Sequence, residues 1–303
     1  MFEVLLKSLT FVLIVIIAYS LKKLRVLKKE DANVIATIVM NVTLPCALLA
    51  SANGIELNGV ILALIMIGIF SNVIMMIIGY ISSCQQHRRV RAAFMINTSG
   101  YNIGNFVLPF VQSFFSGMGV VYLCSFDIGN ALMGLGITYA VADHVASGEN
   151  HFCVRDMMKK LFSSIPFDVY VLIFVLAIFK LQIPTPILSI ASTIGAGNSF
   201  LAMLMIGLML ELKISSQEIK NIFKILFLRI CGTVVLALIT YFVLPLPILA
   251  KQILVLAYFA PLSTVSAVFT RKIGYHGDMS ATANSLSIII SVVIITFLLM
   301  LFV

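Results

Sequence analysis

Apolar runs of about twenty residues recur along the whole chain, separated by short polar stretches. A helix of that length matches the ~30 Å hydrocarbon core of a bilayer. A soluble fold would have to bury every such run at once, and the composition offers nothing to cover them. Of the 303 residues, 61% are apolar and 11% charged, against about 45–50% and about 25% in ordinary soluble domains. The spacing predicts helices near 4–20, 33–53, 58–81, 92–116, 119–141, 163–180, 187–210, 223–244, 251–270 and 278–302. Ten spans of about 20 residues take about two thirds of the chain, so no soluble domain is expected. The expected fold class is an all-α membrane protein.

Charge sets the expected orientation. The net charge is +8, which in a soluble protein would suggest nucleic acid; here the cations fall in loops, and no nucleic-acid partner is expected. One set of alternate loops carries Lys22 to Lys29, then Arg88, Arg89 and Arg91, then Arg155, Lys159 and Lys160. It continues with Lys213, Lys220, Lys224 and Arg229, and ends on Arg271 and Lys272. Only Lys7, Lys180 and Lys251 fall on the other side. The positive-inside rule makes the rich side cytoplasmic. Ten spans then put both termini outside a plasma (inner) membrane. The basic cluster follows the first apolar run instead of preceding it, so that run is expected to be a retained helix and not a signal peptide.

Catalytic and metal motifs are missing from the pattern. The five cysteines (Cys46, Cys84, Cys124, Cys153, Cys231) are odd in number and scattered, which argues against a disulfide framework or a metal site. The histidines, His87, His144, His151 and His276, map to loops or span ends. The expectation is a transporter without a cofactor, not an enzyme.

Five spans per half place the second half upside-down relative to the first, the inverted-repeat plan of secondary transporters. Residues 1–150 form the expected first repeat and 151–303 the second, joined by the charged stretch Asp143 to Lys160. Such transporters bind substrate at discontinuous helices. Interruptions stand at corresponding places: Asn97 to Asn105 followed by Pro109 in the fourth span, and Pro261 with Ser263, Thr264 and Ser266 in the ninth. Irregular backbone at that depth is tolerated only inside protein or beside a water-filled cavity. Gly100, Gly104, Pro109, Pro261 and Pro45 are therefore the candidate helix-break residues. Half-helix amino termini meeting there would suit an anion. A tight glycine- and asparagine-rich crossing with a proline kink is the plainer alternative. Asn41 to Pro45 and Gly195 to Ser199 interrupt the second and seventh spans, where a supporting role in packing is expected.

An ionisable side chain within a span is by default a functional candidate. Asp127 is the clearest case, and Asn130, three residues on, shares its helix face. Asp127 is the candidate proton- or ion-coupling group. Asn284 and Ser287 repeat that spacing in the tenth span. Asp168, just after Pro166, reads as a first-turn helix charge. No lysine or arginine inside the membrane stands out as a partner for an anion. Asn102, Asn105, Asn130, Asn284, Thr264 and Ser266 are the candidate substrate-binding residues.

Three stretches carry a family resemblance. Tyr101 to Phe106 with Leu108-Pro109-Phe110 resembles the fourth-helix signature of the auxin efflux carriers. Phe126 to Ala131 resembles their fifth-helix signature, and Asn41 to Pro45 their second-helix element. The resemblance implies two inverted five-helix repeats, broken fourth and ninth helices that cross at the site, and an elevator-type mechanism. It implies small organic anions as substrates: auxin in plant members, dicarboxylates such as malonate or malate in bacterial ones. Position by position, it puts Asn102, Gly104 and Asn105 at the first crossing and Pro261 at the second. The chain lacks the long cytoplasmic loop of the plant carriers, so a short microbial member is the closer fit. The expected partners are a small organic anion, the lipid bilayer and a second copy in a homodimer, with a proton or sodium as coupling ion. A sodium-coupled symporter of bile-acid-symporter architecture is the nearest alternative. An integral-membrane lipid-modifying enzyme is another, though no histidine partners Asp127 or Asp168.

Overall fold

The computed structural model describes residues 2–51, 59–115, 117–148, 154–211 and 218–303. Their regular elements are helices. Seven helical stretches, Thr185–Met209 taken as one, are long and apolar enough to cross a membrane, and Ile103–Phe114, Ile165–Ile178 and Ile248–Tyr258 are shorter apolar helices. His151, Cys153 and Lys213 lie outside the described residues, as does the expected boundary near residue 150.

In chain order the helices are α1 (Phe2–Lys23), α2 (Asp31–Ser51), α3 (Gly59–Ser82), α4 (Arg88–Thr98), α5 (Ile103–Phe114), α6 (Gly117–Ser147) and α7 (Val154–Leu161). They continue with α8 (Ile165–Ile178), α9 (Thr185–Gly195), α10 (Asn198–Met209), α11 (Ile219–Phe242), α12 (Ile248–Tyr258), α13 (Ser266–Lys272) and α14 (Met279–Phe302). The chain therefore crosses a bilayer several times.

Two prolines sit where helices widen. A proline has no N–H to give and its ring crowds the carbonyl four residues back. In α2 the turn Val39–Thr43 is π-wound just before Leu44-Pro45, and in α5 the turn Ile103–Val107 is π-wound just before Leu108-Pro109. The wider turn accommodates the ring, so the chain runs on as helix through Pro45 and Pro109.

Close approach depends on glycine at two crossings. A Cβ on Gly129 of α6 would collide with the Ile65 carbonyl of α3, and one on Gly68 with the Phe126 carbonyl of α6. This reciprocal pair lets the two backbones touch and holds the Asp127–Asn130 turn against α3. At the second crossing a Cβ on Gly195 would stand 2.7 Å from the Ala47 backbone. There the Thr43 hydroxyl donates to Asn198 Oδ1 at 3.1 Å, so the interruptions of the second and seventh spans pack on each other.

One charge departs from the sequence expectation. Arg229, counted there among the loop cations, stands near the middle of α11 and is only 5% exposed. Lys22, at the end of α1, also turns inward: its ammonium donates to the Leu208 carbonyl at 2.7 Å and to that of Leu210. It thus satisfies carbonyls left over at the end of α10.

Candidate functional site

The interruptions of the fourth and ninth spans meet. Helix α4 stops at Thr98, and Gly100 takes φ +76°, a left-handed conformation that glycine adopts at no steric cost. The chain resumes as α5 at Ile103. Across from it, α12 ends at Tyr258 and α13 starts at Ser266. Tyr101 and Leu262 pair as an antiparallel bridge, and the Asn102 N–H donates to the Pro261 carbonyl at 3.1 Å. Two short extended strips thus satisfy part of each other's backbone.

Side chains from neighbouring helices satisfy the rest. Asn72 of α3 accepts from the Gly100 N–H at 2.7 Å through Oδ1. Asn130 accepts from the Tyr101 N–H at 3.0 Å and donates to the Tyr101 carbonyl at 2.9 Å. One amide therefore pins both polar groups of a single residue. On the other strip, Ser287 Oγ accepts from the Leu262 N–H at 3.1 Å and donates to the Asn284 carbonyl at 2.7 Å. Asn130 and Ser287, matched by spacing in the sequence, hold the two residues of the one bridge.

Arg229 holds the carbonyl side. Its Nη1 donates to the carbonyls of Thr98 (2.8 Å), Ser99 (3.2 Å) and Gly100 (3.0 Å). Its Nη2 donates to those of Ala260 (3.1 Å) and Pro261 (3.4 Å). Its guanidinium lies 5.3 Å from the Tyr101 ring centroid. A helix carboxyl end carries about half a negative charge. Two such ends, those of α4 and α12, converge on one guanidinium, so the buried cation is balanced without a carboxylate. The planar fork suits this task better than an ammonium would.

The opposite face of the crossing opens into a cavity of about 130 Å³. Tyr101 to Asn105 line one wall, Asp127 and Asn130 another, and Ser263, Thr264 and Val265 a third. Phe167 and Tyr170 of α8 close it from the side. With the carbonyl ends held by Arg229, the cavity receives the amino-terminal start of α5. Three residues of its wall carry a buried polar atom with no hydrogen-bond partner: the Tyr101 hydroxyl, Asn102 Nδ2, a donor, and Asn105 Oδ1, an acceptor. Native proteins rarely leave such groups unsatisfied unless a water, ion or ligand completes them.

Asp127 is held at both oxygens. Oδ1 accepts from Asn130 Nδ2 at 2.8 Å and Oδ2 from the Tyr170 hydroxyl at 2.9 Å. Both donors are neutral, so the carboxylate keeps whatever charge its protonation state gives it.

Of the sequence candidates, Asn102, Asn105, Asn130, Thr264, Asp127 and Gly104 line the cavity. Asn130 spends its amide on Tyr101 and Asp127, which makes it a clamp on the backbone. Gly104 matters for approach: a Cβ there would stand 3.3 Å from Leu44 Cδ2. Pro261 belongs to the crossing itself. Ser266 is buried at the start of α13, and Asn284 keeps a buried, unpartnered Oδ1 on α14; neither lines the cavity. Asp168 stands in the first turn of α8. Sequence reasoning passed over three residues that shape the site: Arg229, Asn72 and Tyr170. Asn72 carried a legible signal, a lone amide inside an apolar span. Tyr170 carried none.

The fold and the braced double interruption define a multi-pass membrane protein with a polar site at its broken helices. Residues 4–150 match the model of the auxin efflux carrier family, whose description is Membrane transport protein. Over that stretch the chain is similar to a family of membrane transporters. The match takes in Asn72, Asn102, Asn105, Asp127 and Asn130, while Arg229, Thr264 and Ser287 lie beyond it. No curated protein matches the chain.

Proposed function

We propose that this transporter carries small organic anions, carboxylates of the size of malonate or malate, through the cavity beside the crossing. The observation that carries the reading is the pair of unpartnered polar atoms, Asn102 Nδ2 and Asn105 Oδ1, at the amino-terminal start of α5. A carboxylate there accepts from the Asn102 amide, the Thr264 hydroxyl and the unsatisfied N–H groups of the first α5 turn. A carboxylic acid or hydroxyl on the same molecule donates to Asn105.

Asp127 then sets the coupling. An anion and an ionised Asp127 in one cavity of low dielectric repel each other strongly. The anion therefore enters together with a proton on Asp127, and the two move as a unit. Ten spans in two inverted repeats, residues 1–150 and 151–303, with both termini extracytoplasmic and the site at the crossing, accommodate an elevator-type movement. A homodimer in the plasma membrane fits this plan. The cavity oxygens of Asp127 and Asn105 also suit a sodium ion, which makes sodium-coupled symport the second reading.

The test is a thermal-shift screen of purified protein against malonate, malate, lactate and indole-acetate. Matched neutral and cationic compounds are run at constant pH and ionic strength. A ligand at 100 times its Kd stabilises by about 2.7 kcal/mol. A selective anion response that Asn102→Ala removes supports the reading. A cation response beside a flat anion response overturns it, and a response that requires sodium moves the coupling to the second reading.

A further inference from the structure

A second cavity lies away from the crossing. Helices α1 and α14 diverge around a groove of about 610 Å³, lined by Val12, Val15 and Tyr19 on one side and Ile288, Val292 and Met300 on the other. It lies outside the polar cavity at the broken helices, shares no lining residue with it, and plays no part in the anion site. Its lining is almost wholly apolar. The stretch from Ile288 to Met300 is thirteen residues, a rise of about 18 Å, a little over half of a ~30 Å hydrocarbon core. The groove has the depth of one leaflet.

Its two ends differ in chemistry. Tyr19 lies at one end, and the ammonium groups of Lys22 and Lys23 sit 5.2 Å and 5.6 Å from its ring centroid. Lys22 is committed to the Leu208 and Leu210 carbonyls, while Lys23 is exposed. The end at Met300 reaches the far part of α14 and is apolar. A long apolar slot, one leaflet deep, with Lys22 and Lys23 at the Tyr19 mouth, has the shape and charge of a phospholipid.

We propose that the α1–α14 groove binds an anionic phospholipid, with one acyl chain along Val15 and Val292 and its phosphate at the Lys22–Lys23 mouth. The apolar slot supplies affinity through buried methylenes. The lysines supply the preference for negative headgroups, whose attraction to juxtamembrane cations is a general membrane effect. Among the described residues α1 packs closely along α10, where a Cβ on Gly207 would meet the Val15 carbonyl. The groove runs beside this contact, with Val15 and Leu210 on its wall.

Native mass spectrometry of the full-length protein tests this, with phosphatidylglycerol or phosphatidylcholine of equal chain length added to the detergent. The wild type is expected to retain phosphatidylglycerol several-fold better than phosphatidylcholine. Val292→Trp, which fills the slot, is expected to lose both lipids. Lys23→Gln is expected to bring phosphatidylglycerol down to the phosphatidylcholine level without changing the latter, a result that does not depend on tolerance of the bulky variant. Equal retention of the two lipids by the wild type, or retention unchanged in both variants, overturns the proposal. So does a dimer that excludes lipid and falls apart on Val292→Trp, because a second copy of the chain would then be the occupant.

Discussion

The Tyr170 hydroxyl donates to Asp127 Oδ2 at 2.9 Å, joining α8 to α6 across the wall of the polar cavity. Asn130 holds the other oxygen at 2.8 Å. The group read as the proton carrier is therefore tied at one oxygen to its own helix and at the other to a helix from beyond residue 150.

This tie predicts a pH phenotype. Tyr170→Phe removes one hydrogen bond and keeps the ring, so substrate transport persists with its pH profile displaced. Asp127→Asn keeps the shape and abolishes the pH dependence. Proteoliposome uptake between pH 5 and pH 8 checks both. An unchanged profile in Asp127→Asn would remove the proton role from Asp127.

Arg229 predicts a stability phenotype. Arg229→Leu takes the arginine donor from the carbonyls of Thr98, Ser99, Gly100 and Ala260, while Pro261 keeps the Asn102 N–H; losing a buried hydrogen-bonded group on this scale costs about 3 kcal/mol or more. Arg229→Lys restores the charge but not the fork, and is expected to recover only part of the loss. Thermal unfolding in detergent reads the order: wild type, lysine, leucine.

Two asparagines in one cavity should behave in opposite ways. Asn130→Ala frees the Tyr101 N–H and carbonyl and should lower the unfolding temperature, at about 1–3 kcal/mol for a buried group left unpaired. Asn102→Ala removes a donor with no protein partner, so stability stays within about 0.5 kcal/mol while ligand-induced stabilisation disappears. Thermal unfolding with and without ligand separates them. Equal losses of stability would show that Asn102, too, serves the backbone.

The α3–α6 crossing gives the fourth prediction. Gly129→Ala places a methyl against the Ile65 carbonyl and must push the helices apart. Overpacking of this kind costs about 1–3 kcal/mol, and here it also draws Asn130 away from Asn72. Uptake is expected to fall with stability. A variant with wild-type melting and uptake would show that the crossing is looser than the structure has it.

Much of this was legible in the sequence, because lipid imposes length and polarity on every span. The interruption at Asn97 to Asn105, its counterpart at Pro261, and the Asp127–Asn130 spacing announced themselves as polarity where none is tolerated without a reason. The meeting of the two interruptions was expected from their places in the two halves, but the pairing of Tyr101 with Leu262 depends on register that no spacing reveals. Arg229 was hidden by its neighbours: with Lys220 and Lys224 close by, it read as one more loop cation. The expected span 223–244 already contained it, but only tertiary packing brings it against the carboxyl ends of α4 and α12. Tyr170 looked like any aromatic in a span, since only tertiary packing brings it to Asp127.

The central claim is that the cavity beside the crossing carries a small anion together with a proton. Its most direct test is uptake of labelled malonate and malate into proteoliposomes, with and without an inward proton gradient. The account predicts saturable uptake that the gradient accelerates, that Asn102→Ala abolishes and that Asp127→Asn uncouples from pH. Uptake of neither anion, or uptake indifferent to both substitutions, would contradict it.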